Sequence, residues 1–341
     1  MGVPMTERTR RPSAPTIYDI AEKAGVAAST VSRALNKPGR ISTETEARIR
    51  AAADELGYRL NPMARSLQSG LTGNLALVMS DMTNPVYFDL VRGAERVTAD
   101  AGCTLLFADS QENVDIELDA AQRLLRVADG LMLVGSRLSD EQILSLSALK
   151  PVVTVNRLVD GIPAATAEVE VGVHQAVRHL HELGHRDIVY LEGPSASWMN
   201  GRRHEVIAAD AAALGMTVTF LDSDGPTIEG GHAAVPRVVA TGATAVIAFN
   251  DLLAFGLLQG SREAGVDVPV SLSVVGFDDI FGANLLTPPL TTVRSHMRNL
   301  GEAAVLALRN AIAGEDERET ERPATELIVR GTTGPVAPAG P

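Results

Sequence analysis

The chain has 341 residues, 45% of them apolar, enough to bury a sizeable core in two or three domains of ordinary size, which excludes a disordered chain and a disulfide-stapled miniprotein. Net charge is −12 but unevenly divided: residues 1–70 hold 11 Lys and Arg against 7 Asp and Glu, net +4, and residues 71–341 hold 19 against 35, net −16. A small basic head followed by a large acidic body places phosphate contact at one end of the chain and a different task in the rest.

Residues 1–15, rich in Pro, Arg and Thr, read as a flexible arm, and TERTRRPSAP leads into a helix pattern instead of the apolar core of a signal peptide. A first helix from Thr16 to Ala24 places Thr16 three residues before Asp19, a capping spacing, and stops at Gly25. A second runs from about Ala28 to Asn36 and ends in Lys37-Pro38-Gly39. The third opens at Ser42 or Thr43, with Glu46 placed to complete a capping box on Thr43; it carries Ile49, Ala52, Ala53 and Leu56 on one face and stops at Gly57. The first two fit a helix pair around a tight turn at Gly25, sharing Ile20, Ala21, Val26, Val31 and Leu35 as core. The exposed start of the second helix then shows Ala28, Ser29 and Thr30, with Ser32 and Arg33 one turn on. Short side chains there allow close approach to a DNA major groove, and Arg33 can reach a guanine bidentately or a phosphate. An ordinary three-helix bundle satisfies the same pattern. After Tyr58 comes LNPMARSLQSG, with Asn61 as an N-cap, Pro62 at the first helical position and Gly70 closing the segment. Some seven residues are too few for a helix stable alone in water, and a passive linker fits as well.

From Leu75 the texture changes to short apolar runs separated by helix-period stretches. The runs are 75–79, 104–108, 131–134, 152–155, 188–191, 217–220, 245–249 and 273–277, with helical segments such as 86–101, 117–126, 172–183 and 252–264 between them. This alternation implies parallel βαβ units, and two groups of four strands make two doubly wound lobes. No run approaches the ~18 residues of a membrane span. The lone Cys103, in AGCTLLF, suits a core position in a reducing, cytoplasmic protein.

Ligands of such sheets sit beyond the carboxyl ends of the strands. Asp81 and Asn84 follow the first run, Ser110 the second, Ser136 and Arg137 the third, Asn156 and Arg157 the fourth; Asn250 and Asp251 follow AVIAF, and Asp278 follows SVVGF. Amides and carboxylates converging between two lobes suit a hydroxyl-rich solute, on whose ring Tyr87, Phe88, Trp198 or Phe249 can stack. Enzyme signatures are missing: no GxxxxGK followed by Ser or Thr, no GxGxxG after a strand, no HExxH, and GPSAS at 193–197 is not a GxSxG elbow. His179, His181 and His185 lie close together, but Gly184 ends the helix between the last two, so metal is not expected there. Asp278-Asp279 has no His or Lys at an interpretable spacing for acid–base or metal chemistry. No cofactor is expected.

TIYDIAEKAGVAASTVSRALN, followed by ISTETEARIRAAADELGYRLNPMARSL, resembles the lac-repressor (LacI/GalR) family of bacterial transcription factors, and the likeness extends over about residues 16–334 to the terminal LIVRGTTGP. It implies a small all-α helix-turn-helix head plus an α/β body, two doubly wound parallel-sheet lobes of periplasmic-binding-protein type. The domains are then an arm at 1–15, a DNA-binding domain at 16–60, a hinge helix at 61–70, an effector-binding and dimerisation domain at 71–334 and a flexible tail at 335–341. The DNA-contacting set becomes Thr16, Tyr18, Ala28, Ser29, Thr30, Ser32, Arg33 and Asn36, with Ala64, Arg65 and Leu67 of the hinge, Leu67 wedging between base pairs in the minor groove. The resemblance assigns effector contacts to Asn250, Asp278 and Arg203; with the residues after the strands the pocket set is Asp81, Asn84, Phe88, Ser110, Ser136, Asn156, Trp198, Arg203, Asn250 and Asp278. Three departures stand out: Ala27 where the family places Ser before the recognition helix, Val206 where a Gly is usual, and Glu168-Val169 where Asp-Asn is usual.

LLTPPLTTVR and the helix 298–313 match the family's return of the chain through both lobes. The tail is Pro/Gly-rich without heptads, so a homodimer is expected rather than a tetramer. The reading is a repressor that binds palindromic double-stranded DNA and whose affinity is controlled by a small effector, a sugar or sugar derivative. A solute-binding receptor for transport, which should carry an export signal and lack the head, and a carbohydrate-active enzyme are the alternatives.

Overall fold

The computed structural model describes residues 15–36, 40–58, 70–315 and 322–336, and divides after Thr72 into two compact units. Of the expected hinge at 61–70, residues 61–69 with Ala64, Arg65 and Leu67 lie outside the described residues, as do the arm up to residue 14, the tail from 337 and the side chain of Asn36.

In the head, α1 (Ile17–Ala24), α2 (Ala28–Asn36) and α3 (Thr43–Glu55) pack around Ile20, Val31 and Ile49, with Ala21, Ala24, Ala34, Ala52 and Ala53 filling in. The Asp19 carboxylate accepts from the backbone N–H and the hydroxyl of Thr16 at 2.6 and 2.7 Å, which closes the first helix as the spacing implies and holds the carboxyl below its usual pKa. Gly25 takes the left-handed φ of 63° that the turn between α1 and α2 demands. At α3 the expectation of a box on Thr43 is corrected. Ser42 is the N-cap, its hydroxyl accepting from Thr45 N–H at 3.4 Å. Glu46 therefore falls at the fourth helical position, beyond capping reach, and pairs with Arg50 at 2.7 Å one turn on.

The body's first lobe is built from β1 (Asn74–Met79), α4 (Val86–Asp100), β2 (Thr104–Asp109), α5 (Val114–Leu125), β3 (Gly130–Val134), α6 (Asp140–Ser147), β4 (Val152–Val155) and β5 (Ala164–Ala165). Its strands are all parallel in the order β2-β1-β3-β4-β5. The second lobe follows as α7 (Val169–Glu182), β6 (Asp187–Glu192), α8 (Trp198–Ala213), β7 (Thr217–Asp222), α9 (Ile228–Ala240), β8 (Ala245–Ala248), α10 (Asp251–Glu263), β9 (Ser273–Asp278) and β10 (Thr291–Arg294). With β11 (Glu326–Ile328) its order is β11-β10-β9-β8-β6-β7, parallel except for β11 against β10. The sheets thus hold five and six strands where four and four are expected, because β5, β10 and β11 are two to four residues long and carry no continuous apolar run. Strands β3 and β8 are buried along their whole length, as parallel strands covered by helices on both faces must be.

Helix α11 (Met297–Ala313) leaves β10 of the second lobe but inserts Leu300, Ala304, Val305 and Leu308 among Leu90, Ala94 and Met132 of the first. Its backbone runs close against α4: a Cβ on Gly301 would stand 2.1 Å from the Leu90 carbonyl oxygen, and one on Gly93 equally close to that of Arg298. Among the described residues no helix is long and apolar enough to cross a membrane. Because both close approaches are to backbone, Gly301→Ala should destabilise the body by about 1–3 kcal/mol through overpacking. Urea denaturation followed by circular dichroism measures this; an unmoved midpoint would mean that α4 and α11 can separate freely.

Candidate functional site

The strand ends of the two lobes face one another across a cavity of about 60 Å³, room for a handful of waters at ~10–15 Å³ each. Asp81, Asn84, Asn156, Arg203, Asn250 and Asp278 all line it, brought together from separate loops of both lobes. Asn250 caps α10, its Oδ1 accepting from Leu253 N–H at 2.9 Å, and its amide donates to the Pro226 carbonyl at 2.9 Å. Asn84 Oδ1 accepts from Val86 N–H at 3.1 Å, and Asp81 Oδ1 holds the N–H and hydroxyl of Thr83. Asn156, at φ 55° just after β4, points its amide at the Met297 sulfur, 3.5 Å away.

Arg203 and Asp278 carry the strongest electrostatics. The Arg203 guanidinium is buried, lies 3.4 Å from the Phe277 ring centroid and 4.9 Å from that of Phe249, and donates to the Phe249 carbonyl. Its Nη2 stands 3.9 Å from Asp278 Oδ1, close enough for Coulomb attraction and too far for a hydrogen bond. Burial pushes the Asp278 carboxyl up to about 7 despite that guanidinium. A donor and an acceptor are thus held in a low-dielectric cleft without being joined to each other.

Four expected pocket residues are not brought to the cleft. Ser110 is fully buried and donates to the Ser80 carbonyl at 3.3 Å, and Ser136 is buried with its hydroxyl accepting from Leu138 N–H at 3.2 Å; both shape the turns after their strands. Trp198 opens α8 between the cleft residues Ser197 and Met199, but its own ring is absent from the lining. Phe88 is 56% exposed on a larger groove of about 620 Å³ that adjoins the cleft, sharing Val86, Asp278 and Met297 with it. Three of that groove's arginines are matched, Arg298 with Asp89 at 2.9 Å and both Arg294 and Arg330 with Asp279 at 2.8 and 2.5 Å, and six of the expected pocket residues meet in the smaller cleft, which is the better candidate. The paired arginines also remove Asp279 from any joint role with Asp278.

Two departures from the family pattern do not reach the cleft: Val206 and Val169 both sit in the second lobe's hydrophobic core. His185 is likewise structural. Its Nε2 must donate to the Gly334 carbonyl at 3.1 Å, which leaves Nδ1 to accept from the Thr244 hydroxyl at 2.8 Å, and burial lowers its pKa in keeping with a neutral ring. Sequence reasoning left out Glu112, and noted Tyr87 as a stacking aromatic and Arg137 as following a strand without placing either in the pocket set. All three line the cleft. Arg137 donates Nε and Nη2 to the two oxygens of Glu112 at 2.7 and 3.0 Å, and the Tyr87 hydroxyl lies 2.7 Å from Ser80 Oγ, burial pushing its phenol up to about 12. Glu112 and Arg137 stand within three residues of the ends of β2 and β3, so the strand-end rule reaches them. Their pairing across 25 residues is not visible in sequence.

In the head, Tyr18 is 72% exposed, and Ser29 and Arg33 are exposed on the start and the far turn of α2, with Ala28, Thr30 and Ser32 partly covered. Thr16 is exposed but its hydroxyl is engaged by Asp19. Ala27 offers no side-chain oxygen, and Thr30 N–H, the group a capping side chain would take, donates to the Ala27 carbonyl at 2.8 Å beside the ordinary helical bond from Val31 N–H at 3.2 Å.

Residues 16–61 match the model for bacterial regulatory proteins of the lacI family, and residues 177–333 that for a periplasmic binding protein-like domain. The HTH-type transcriptional repressor CytR of Escherichia coli (strain K12) is 30% identical over 337 residues, 95% of this chain and 98% of that protein. The chain belongs to the LacI family. Within the family, the lac repressor dimer bound to operator and the anti-inducer ONPF superposes with a TM-score of 0.84 at 25% identity, over 94% of this chain and 100% of that one. The complex of the transcriptional regulator CelR with cellobiose superposes at 0.66 with 28% identity, over 93% and 99%. The helix-turn-helix head and the two parallel-sheet lobes are the fold of this family.

The Asp278 geometry has a pH signature. Its folded pKa is raised, so between about pH 4 and pH 7 the folded state retains a proton that the unfolded state has lost, and stability falls as pH rises through that window. Asp278→Asn removes the effect. The variant's melting temperature should gain on the unaltered protein as pH climbs from 4 to 7 and keep a constant offset above, as read by calorimetric melts across that range. Parallel curves would mean that Asp278 is not held protonated.

Proposed function

We propose that this protein is a homodimeric, cytoplasmic transcriptional repressor that binds a palindromic operator and releases or tightens on it when a small hydroxyl-rich effector, a sugar or sugar derivative, enters the cleft between the lobes. The observation that carries the reading is the buried, unjoined pair Arg203 and Asp278 in a cleft lined by Asp81, Asn84, Asn156 and Asn250. Hydroxyls both donate and accept, so one hydroxyl bridges a guanidinium and a carboxylate 3.9 Å apart. Support for the DNA partner comes from the basic head and the exposed Arg33 on α2, and support for a sugar from the cellobiose complex among similar structures. A transport receptor has no use for the head. An enzyme needs a reactive group, and the Asp278 carboxyl is faced by an arginine. Residues 61–69 are proposed as the hinge, with Leu67 as its wedge in the minor groove.

Binding is tested by selecting an operator from random duplexes and measuring anisotropy against salt. Affinity should fall steeply with salt as phosphate contacts release counterions. Arg33→Ala should weaken the selected site by about 1–3 kcal/mol and relax its sequence preference at one base pair per half-site; unchanged selectivity would confine Arg33 to a phosphate or packing role. A fragment beginning at residue 71 that retained operator binding would overturn the assignment of DNA contact to the head. Asp278→Asn should bind operator normally while losing the effector response, seen as loss of the sugar-induced thermal shift; a normal response would remove Asp278 from the pocket.

A further inference from the structure

The electrical character of the cleft, taken as the effector site proposed above, says what can enter it. Three helices, α4, α8 and α10, begin at its walls, and a helix N-terminus attracts anions when its first N–H groups are open. Here one N–H at the start of each is engaged from within: Val86 N–H donates to Asn84 Oδ1 at 3.1 Å, Asn200 N–H to Ser197 Oγ at 3.3 Å and Leu253 N–H to Asn250 Oδ1 at 2.9 Å. The cations are engaged too. Arg137 directs two donors at Glu112 and Nη1 at the Gly135 carbonyl, 2.6 Å away, while Arg203 lies against Phe277 and faces Asp278. Neither lysine nor histidine lines the cleft, and the carboxyls of Asp81, Glu112 and Asp278 outnumber the two guanidiniums.

We propose that the Glu112–Arg137 ion pair makes this cleft selective for charge, so that it takes an uncharged, hydroxyl-bearing effector and rejects the same molecule carrying a phosphate or a carboxylate. An added anion meets the carboxyls of Asp81 and Glu112 in a poorly screened space with no free fork of donors to receive it. A neutral polyol instead donates to the carboxyls and accepts from Arg203. Glu112 is the deciding residue, because without it the planar Arg137 fork is released, and that geometry matches phosphate and carboxylate bidentately. The turn that presents Glu112 is specific: Gln111 and Glu112 adopt left-handed φ of 53° and 57°, and Glu112 N–H donates to the Ser80 carbonyl at 2.7 Å.

The test is calorimetric titration of the full chain with D-glucose, D-galactose, D-ribose and cellobiose, against glucose 6-phosphate, galactose 6-phosphate, ribose 5-phosphate and glucuronate. At least one neutral sugar should bind, with its anionic counterpart at least tenfold weaker. In Glu112→Gln that ratio should narrow tenfold or more through a gain by the anionic compound, and in Arg137→Gln, which keeps Glu112, it should widen; circular dichroism melts establish that each variant is folded. An anionic sugar that binds the unaltered protein as tightly as its neutral parent overturns the charge selectivity and leaves the effector cleft standing. A ratio unmoved in both folded variants overturns the role of the ion pair. Binding by no compound of either set overturns the sugar reading, and this proposal with it.

Discussion

A single buried carboxyl, that of Asp251, holds the geometry on which the cleft depends. It opens α10 in the second lobe, fully buried, and accepts from Ile280 N–H at 2.8 Å through one oxygen and from the Thr292 hydroxyl at 2.5 Å through the other. Helix α10, the turn after β9 and strand β10 are thereby fastened at one point. That turn contains Asp278 and Asp279 at φ 117° and 56°, conformations that disfavour side chains by about 1–3 kcal/mol and persist only where surroundings dictate them. Gly276 is part of the same constraint, since a Cβ there would stand 2.2 Å from the Asp251 carboxylate. Burial, with Asp278 nearby, raises the Asp251 pKa well above the usual carboxylate range.

From this fixed turn two adjacent aspartates take opposite roles. Asp279 is directed to Arg294 and Arg330 and acts as a clamp between β10 and the segment after β11. Asp278 is directed into the cleft, where burial outweighs the attraction of Arg203 at 3.9 Å and raises its pKa to about 7. A close ion pair would have lowered it. The neighbours share a residue type and are about equally buried, and they differ in the distance to their arginines.

The cleft wall and one joint between the lobes belong to the same stretch of chain. Strand β10 pairs with β9, His296 turns at φ 49°, and α11 then inserts into the first lobe's core, with Met297 lining the cleft at the junction. Because Gly93 and Gly301 bring the backbones of α4 and α11 into contact, α11 packs as part of the first lobe, and the chain crosses between the lobes at 294–297 as it does between β5 and α7 and between α11 and β11. The cleft is lined by residues of both lobes, so a ligand there can contact two lobe arrangements unequally, which is the physical requirement for biasing the body between them.

Much of this was written in the sequence, because local chemistry determines it. Gly25 and the Thr16–Asp19 spacing specify the first turn of the head; unbroken apolar runs specify buried parallel strands; and position just past a strand brings Asp81, Asn84, Asn156, Asn250 and Asp278 to the lining of the cleft. Position after a strand does not determine the direction of a side chain, and the turns at Ser110 and Ser136 aim those hydroxyls inward. Gly230, Gly231 and Pro236 make 228–240 a poor helix by propensity. It is helical all the same because Gly231 and Gly256 let α9 and α10 pack backbone to backbone, a Cβ on Gly256 standing 1.9 Å from the Ile228 carbonyl. Glu112 and Arg137 meet only once β2 and β3 lie on either side of β1. What the sequence determined alone were the features encoded within a turn or two of chain. The charge balance of the cleft and the seating of the glycine-bearing helices were decided by the tertiary structure, because they arise between groups that come near one another only after the sheets have formed.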